Sequence, residues 1–432
     1  MDRVRHRELC KVEVQKERLE MGSQSYMGPE NLFFAALEIG DLNLIQLLGA
    51  RHANCALEVK GGELGYQTQS PAKFGLAGLW TLEYTQELTT PLCITSARGY
   101  VECVRYLLHR RADPNAAPGG RSPLHEACSG GFADCAQLLL EYGANPNQLS
   151  DDGMTPIHYC ITFSSLRCAE LLLNHGANVN QCTEETLDTS LHLAARNGLL
   201  GHVKLYIRQG AAINAKNHEG ETPLSAACGG KEGTEGALLE VCDFLLKAGA
   251  DPEIPDQQDV TPLHHACRRA EHKLVELLLA AGVDVNAADY NGVLPLSCVL
   301  QSAGFHKEKR PKLTVQALLN HGARCFCPEA FGKVLRFCSG LPDIIAVLYN
   351  TYANLQIISQ WKLEIPQEVF QNHKSFYTTF FSLSGSVCSL QHLCRFSLRR
   401  YFGSQCHRLI PLLPVPRPLQ DYLLLLTDGD IF

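Results

Sequence analysis

The chain has 432 residues and a formal net charge of −7, with 45% apolar and 19% charged residues. That balance excludes a disordered polyelectrolyte, and no Lys/Arg cluster offers a face to a polyanion, so no nucleic-acid partner is expected. No run of about 18 apolar residues exists, and the charged start MDRVRHRELCKVEVQKERLE has no secretory core; we expect no membrane partner and a cytoplasmic location, with the nucleus also open to the chain. The 19 cysteines are then reduced thiols and not a disulfide framework. Cys325 and Cys327 stand too close for usual zinc spacing, so no metal and no cofactor is expected. No G-x-S-x-G, H-E-x-x-H or dinucleotide glycine motif occurs, and GGKEGTEGAL near Gly230 is not a phosphate loop. No catalytic residue is assigned.

In chain order, residues 1–30 read as an N-terminal arm. LFFAALEIGDLNLIQLL, Leu32 to Leu48, predicts two short helices. An insertion follows at about 57–88, carrying Tyr66, Phe74, Trp80 and Tyr84. Trp80 is a candidate contact for a partner. The competing reading, an insertion packed on its own repeat, is favoured because loops accept insertions at little cost.

Seven windows then repeat one pattern, among them SPLHEACSGGFADCAQLLLEYGANPN and TPLHHACRRAEHKLVELLLAAGVDVN. Their second residues are Pro91, Pro123, Pro156, Ser190, Pro223, Pro262 and Pro295, in steps of 32, 33, 34, 33, 39 and 33. Thr155-Pro156 supplies an N-cap and a first-turn proline, and Gly176 a left-handed stop. Between them run Ile157, Cys160 and Ile161, then Ala169, Leu171, Leu172 and Leu173. One such helix pair cannot bury both stripes, but stacked pairs can. Cys128, Cys160, Cys228 and Cys267 recur in the first helix, and Cys103, Cys135, Cys168 and Cys242 in the second, as small buried hydrophobes. A period of 33 with T-P-L-H-x-A resembles the ankyrin repeat family over most of residues 31–355. In that family the histidine, here His125, His158, His192 and His264, ties neighbouring turns. AFGKVLRFCSGLPDIIAVLYN, Ala330 to Asn350, reads with the Leu32–Leu48 unit as an atypical capping repeat. Some ankyrin domains are hydroxylated at the Asn matched by Asn147, Asn180, Asn214 and Asn286.

The predicted finger tips are acidic, at Asp151, Asp152, Glu184, Glu185, Asp188, Glu219, Glu221, Asp256, Asp259 and Asp289, with Arg121 the exception. They would steer a basic partner, or form only a solvated edge. Arg121, Asp152, Glu185, Glu219 and Asp256 join Trp80 as candidate substrate contacts.

After Asn350 the beat stops. Trp361 to Gly385 predicts a connecting helix, apolar at Val369, Phe370, Phe376, Phe380 and Phe381. Ser389 then caps a helix whose Leu390, Leu393, Cys394, Ser397, Leu398 and Tyr401 share one face, with Arg395, Arg399 and Arg400 away from Leu390. A second helix near Ser404 to Leu412 precedes the extended Leu413-Pro414-Val415-Pro416, and Pro418 opens a last helix through Leu423.

This arrangement resembles the SOCS box. Leu390, Leu393, Cys394 and Leu398 look like its BC box, which binds elongin C. Ile410, Leu413, Pro414, Val415 and Pro416, with Tyr422-Leu423 beyond, look like its cullin-5 box. Leu398 departs from the Ala or Ser often found in the family. The whole chain resembles the ankyrin repeat and SOCS box family. The resemblance implies an all-α fold: ankyrin solenoid over 31–355, connecting helical segment over 356–388 and three-helix SOCS box over 389–427. It implies a non-catalytic substrate receptor of a ubiquitin ligase, with elongin B, elongin C, cullin-5 and its RING protein as partners beside a protein substrate. The alternative is an ankyrin scaffold without ubiquitin transfer.

Overall fold

A computed structural model describes residues 29–48, 57–59, 87–230, 235–384 and 388–426. Trp80 and most of the 57–88 insertion lie outside the described residues, as does most of the N-terminal arm. The chain forms two compact units, Met1–Asp151 and Asp152–Phe432.

The first unit opens with α1 (Pro29–Ile39) and α2 (Leu42–Leu48), the two helices expected of the outer repeat. β1 (Leu57–Val59) and β2 (Glu87–Thr89) pair antiparallel, Leu57 opposite Thr89, at the two ends of the insertion. Then come α3 (Pro91–Arg98), α4 (Val101–His109), α5 (Pro123–Gly130) and α6 (Ala133–Glu141). Thr90 Oγ1 accepts the Cys93 N–H at 3.1 Å and so caps α3. Leu92, Leu107, Leu124 and Leu139 form the centre of the core, one from each of these four helices. Asn115 links two turns of the unit, accepting the Asn145 N–H at 2.7 Å and donating to the Gly143 carbonyl at 3.2 Å.

The second unit continues the repeat with one irregular pair. Pro156–Tyr159 and Phe163–Ser165 are single 3₁₀ turns before α7 (Leu166–Asn174). The predicted first helix fails there because Ser165 Oγ takes the Thr162 N–H at 3.2 Å and donates to the Thr162 carbonyl at 2.7 Å, a local alternative to helix. Ile161 is consequently exposed and not part of the apolar stripe, while Ile157 and Cys160 are buried. The pairs that follow are α8 (Ser190–Arg196) with α9 (Leu200–Arg208), α10 (Pro223–Cys228) with α11 (Glu235–Lys247), and α12 (Pro262–Arg268) with α13 (His272–Ala280). α14 (Pro295–Ser302) with α15 (Pro311–Asn320), and α16 (Phe331–Cys338) with α17 (Pro342–Tyr349), complete the series.

The repeated histidines are joints. The N–H groups of Thr155, Thr189 and Thr261 donate to Nδ1 of His158, His192 and His264 at 3.1, 3.2 and 3.1 Å. Nδ1 is thus an acceptor, so Nε2 carries the proton. It donates to the Gln181, Glu221 and Val293 carbonyls at 3.0, 3.0 and 3.1 Å, each on the following finger. Asn180 and Asn286 add a second link from repeat to repeat. They accept the Ala212 and Arg324 N–H groups at 2.8 Å and donate to the Gly210 and Gly322 carbonyls at 3.1 Å.

The connecting segment is not one helix. A 3₁₀ stretch, Ser359–Glu364, is followed by α18 (Gln367–Asn372) and α19 (Lys374–Ser382). Pro366 bars helix at Ile365, and His373 leaves helical geometry at ψ 35°. Trp361 packs on Phe331 with ring centroids 5.5 Å apart, and α19 buries Tyr377 and Phe380. The chain ends in α20 (Leu390–Phe402), α21 (Cys406–Leu409) and α22 (Arg417–Leu423). Among the described residues, no helix is long and apolar enough to cross a membrane.

Candidate functional site

The three terminal helices have a small core. Cys406, Ile410 and Leu423 are buried, with Phe402, Leu413 and Leu424 packed on them. Ser389 Oγ caps α20 by accepting the His392 N–H at 3.2 Å. Leu390 is 78% exposed and Tyr401 85%, with Leu393, Cys394 and Leu398 exposed beside them. The apolar side of this amphipathic helix therefore faces solvent.

Its polar side faces the protein. Arg395 is 1% exposed. It donates to Asn350 Oδ1 at 2.6 Å and to His392 Nδ1 at 3.1 Å, and its guanidinium lies 4.2 Å from the Tyr422 ring centre. His392 Nε2 in turn donates to the Tyr352 carbonyl at 2.6 Å. Burial, with the Arg395 charge beside it, holds this imidazole below its ordinary pKa despite that bond. Arg399 donates to Asn320 Oδ1 at 2.6 Å, the Leu423 carbonyl at 2.8 Å and the Leu319 carbonyl at 3.0 Å. Asn320 Nδ2 donates to the Leu424 carbonyl at 3.0 Å, and Gln316 to that of Leu425. The rings of His321 and His407 stack 3.7 Å apart. A polar seam thus fastens the terminal helices to the last repeats.

The Leu413–Pro416 segment is extended, with Leu413 at φ −65°, ψ 138° and Pro416 at φ −55°, ψ 147°. Gln420 Nε2 is shared by the Pro411, Leu413 and Val415 carbonyls at 3.1–3.3 Å and holds its shape. Pro414 and Pro416 are exposed and Val415 half-buried.

Comparison with known proteins bears on both parts. The family model for ankyrin repeats matches residues 30–149, 92–183, 191–289 and 232–327, and the SOCS box model matches 386–424. Ankyrin repeat and SOCS box protein 18 of Homo sapiens is 47% identical over 417 residues, 95% of this chain and 90% of that protein. Protein 16 of the same series from Mus musculus is 38% identical over 92% of this chain and 86% of its own length. Protein 10 of Homo sapiens is 44% identical over 82% of this chain and 77% of its own. The chain belongs to the ankyrin repeat and SOCS box family.

The terminal helices are its SOCS box. Leu390, Leu393, Cys394 and Leu398, the residues expected of a BC box, fall together on the exposed face of α20. Ile410 does not fall on a surface. It is buried in the box core, and Leu413 packs against that core.

The solenoid candidates divide. In the first unit, Arg121 is exposed, 3.9 Å from Glu126. In the second, Asp152, Glu185 and Glu219 are exposed. Asp256 is a turn former, accepting the Gln258 and Val260 N–H groups at 2.8 Å. Asp188, Glu221 and Asp289 are not free tips either. Arg196 pairs with Asp188 at 2.8 Å and Glu221 at 3.2 Å, and Arg268 lies 3.7 Å from the buried Asp289. The acidic edge is thinner than a count of carboxylates predicts.

The eight recurring cysteines are all buried. Burial pushes the thiols of Cys93 and Cys338 up to about 11 and about 12, the opposite of a nucleophile. Among the described residues no group of three metal-ligating side chains forms.

Proposed function

We propose that this protein is the substrate receptor of an elongin B/C–cullin-5 RING ubiquitin ligase. The observation that carries the reading is the inverted α20, whose Leu390, Leu393, Cys394 and Leu398 are held out by a polar anchor on its other side. A groove on elongin C would take this face in the helix-in-groove mode, where a fully buried Leu contributes about 1.5–3 kcal/mol. The Leu413–Pro416 segment, already extended, loses little entropy on meeting cullin-5. The solenoid presents Arg121, Asp152, Glu185 and Glu219 to a protein target. Target lysines then gain effective concentration at the conjugating enzyme carried by the RING protein, and the chain needs no active site of its own. Such a complex works in the cytoplasm or nucleus.

The test is coexpression with elongin B/C and the N-terminal half of cullin-5, read by size-exclusion chromatography, beside a Leu390→Asp, Cys394→Asp variant. Coelution that the variant loses supports the receptor. A folded wild-type chain eluting without elongin would leave the scaffold reading instead.

A further inference from the structure

An open cavity of about 490 Å³ lies where the SOCS box meets the last repeats. Leu319, Cys325 and Tyr352 line it from the solenoid, and Phe396, Arg399 and Arg400 from α20. No aspartate or glutamate lines it.

The charge balance at this place is unusual. Arg395, Arg399 and Arg400 lie within six residues of one helix; Arg395 is buried and Arg399 half-buried. Among the described residues, no carboxylate stands within ion-pair distance of any of the three. Every partner of Arg399 is a neutral oxygen, and these bonds use both Nη1 hydrogens and one on Nη2. The Nε hydrogen and the second Nη2 hydrogen remain. A buried cation without a counter-anion is costly, and like charges close by add to the cost. An anion entering the cavity would lower that cost while its apolar part covered Leu319, Tyr352 and Phe396.

We propose that this cavity binds a small organic anion, one oxyanion head on Arg399 and Arg400 and an apolar or aromatic body against Tyr352 and Phe396. The volume suits a small molecule, since such sites run from about 300 to 1,000 Å³ with apolar walls and few polar groups. The walls come from both solenoid and box, so the bound anion stabilises their docking by mass action. The site does not depend on ubiquitin transfer. It would adjust how firmly the box is held, whatever the box binds.

The experiment uses the full chain with two anionic probes, 3-phenylpropionate and phenyl phosphate, and one neutral probe, 3-phenylpropanol, in calorimetry and thermal unfolding. Saturable binding of at least one anion, with a raised unfolding midpoint and no effect of the alcohol, is expected. Arg400 is exposed and makes no bond that folding needs, so Arg400→Gln should keep the wild-type midpoint without ligand and weaken the anion about tenfold. Ala353→Trp, which fills the cavity from its rim, should abolish binding in a folded chain. No binding of either anion at millimolar concentration would overturn the proposal. So would equal binding of the alcohol, or unchanged affinity in both variants.

Discussion

Leu390 and Arg395 share one helix and are placed against their chemistry, the leucine 78% exposed and the arginine 1%. The arrangement follows from what each side meets. Asn350 Oδ1, His392 Nδ1 and the Tyr422 ring receive the guanidinium, whereas the leucine is left to solvent. Leu390→Asp should therefore leave the unfolding midpoint unchanged, a shift within about 0.5 kcal/mol. Arg395→Ala removes a buried network and should cost about 3 kcal/mol. Hydrogen exchange across 390–423 checks the pair: protection should fall in the arginine variant only. Equal protection in both variants would refute the anchoring role of Arg395.

The joint histidines should couple to their caps. Thr261→Ala removes an N-cap hydroxyl, 2.9 Å from His264 Nδ1, and should cost about 1 kcal/mol. His264→Ala removes the link to the Val293 carbonyl as well and should cost about 2–3 kcal/mol. The double variant should cost less than the sum, because both changes break one network. Urea unfolding of the cycle measures this, and strict additivity would count against a shared joint.

Two glycines separate backbone strain from contact. Gly282 at φ 88° and Gly322 at φ 91° both occupy the left-handed region after a second helix. A Cβ on Gly282 would meet nothing within 4 Å, but one on Gly322 would come within 2.8 Å of Ser404 Cα, on the box. Gly282→Ala should cost about 1 kcal/mol, the strain alone. Gly322→Ala should cost more and should loosen the box, seen as faster proteolysis between Gly403 and Arg417. Equal costs in the two variants would mean that the box yields freely at this contact.

The repeat was legible because each first helix carries its own start signal. Ser or Thr with His three residues on predicts the capping box from local residues alone, and the joints at His158, His192 and His264 match it, with Pro at the first helical position for His158 and His264 and Ser190 in its place for His192. The exposed face of α20 was legible for the same reason, since helical spacing is a local property. The seam was not. Arg395 and Arg399 reach neutral amides 45 and 79 positions away, so no opposite charge reveals the pairing, and arginines on an amphipathic helix ordinarily read as solvated. Asp188 and Asp289 misled in the reverse sense: carboxylates in loops read as free, but Arg196 and Arg268 wait on the adjoining helices.

The pH dependence of stability follows from the same buried groups. His158, His192 and His264 are held below their ordinary pKa by burial, which outweighs the carbonyls that receive their Nε2 protons. Burial lowers His202 to about 4. In the unfolded chain these imidazoles titrate near 6.5. As pH falls through about 6.5 the unfolded chain takes up protons that the folded chain refuses, so stability drops, by up to about 1.4 kcal/mol per pH unit for each such histidine. The loss runs until the folded form also protonates, near 4 for His202. At the alkaline end the sign reverses in cause and not in outcome. Cys93 and Cys338 are raised by burial, so unfolded thiols ionise near 8.5 while the folded ones stay neutral, and stability falls again as pH rises. Urea midpoints should therefore be highest between about pH 7 and 8 and fall on both sides. His202→Phe should make the acid limb shallower by the share of one proton. A midpoint that holds steady from pH 7.5 to 5 would mean that these histidines are not buried neutral in solution.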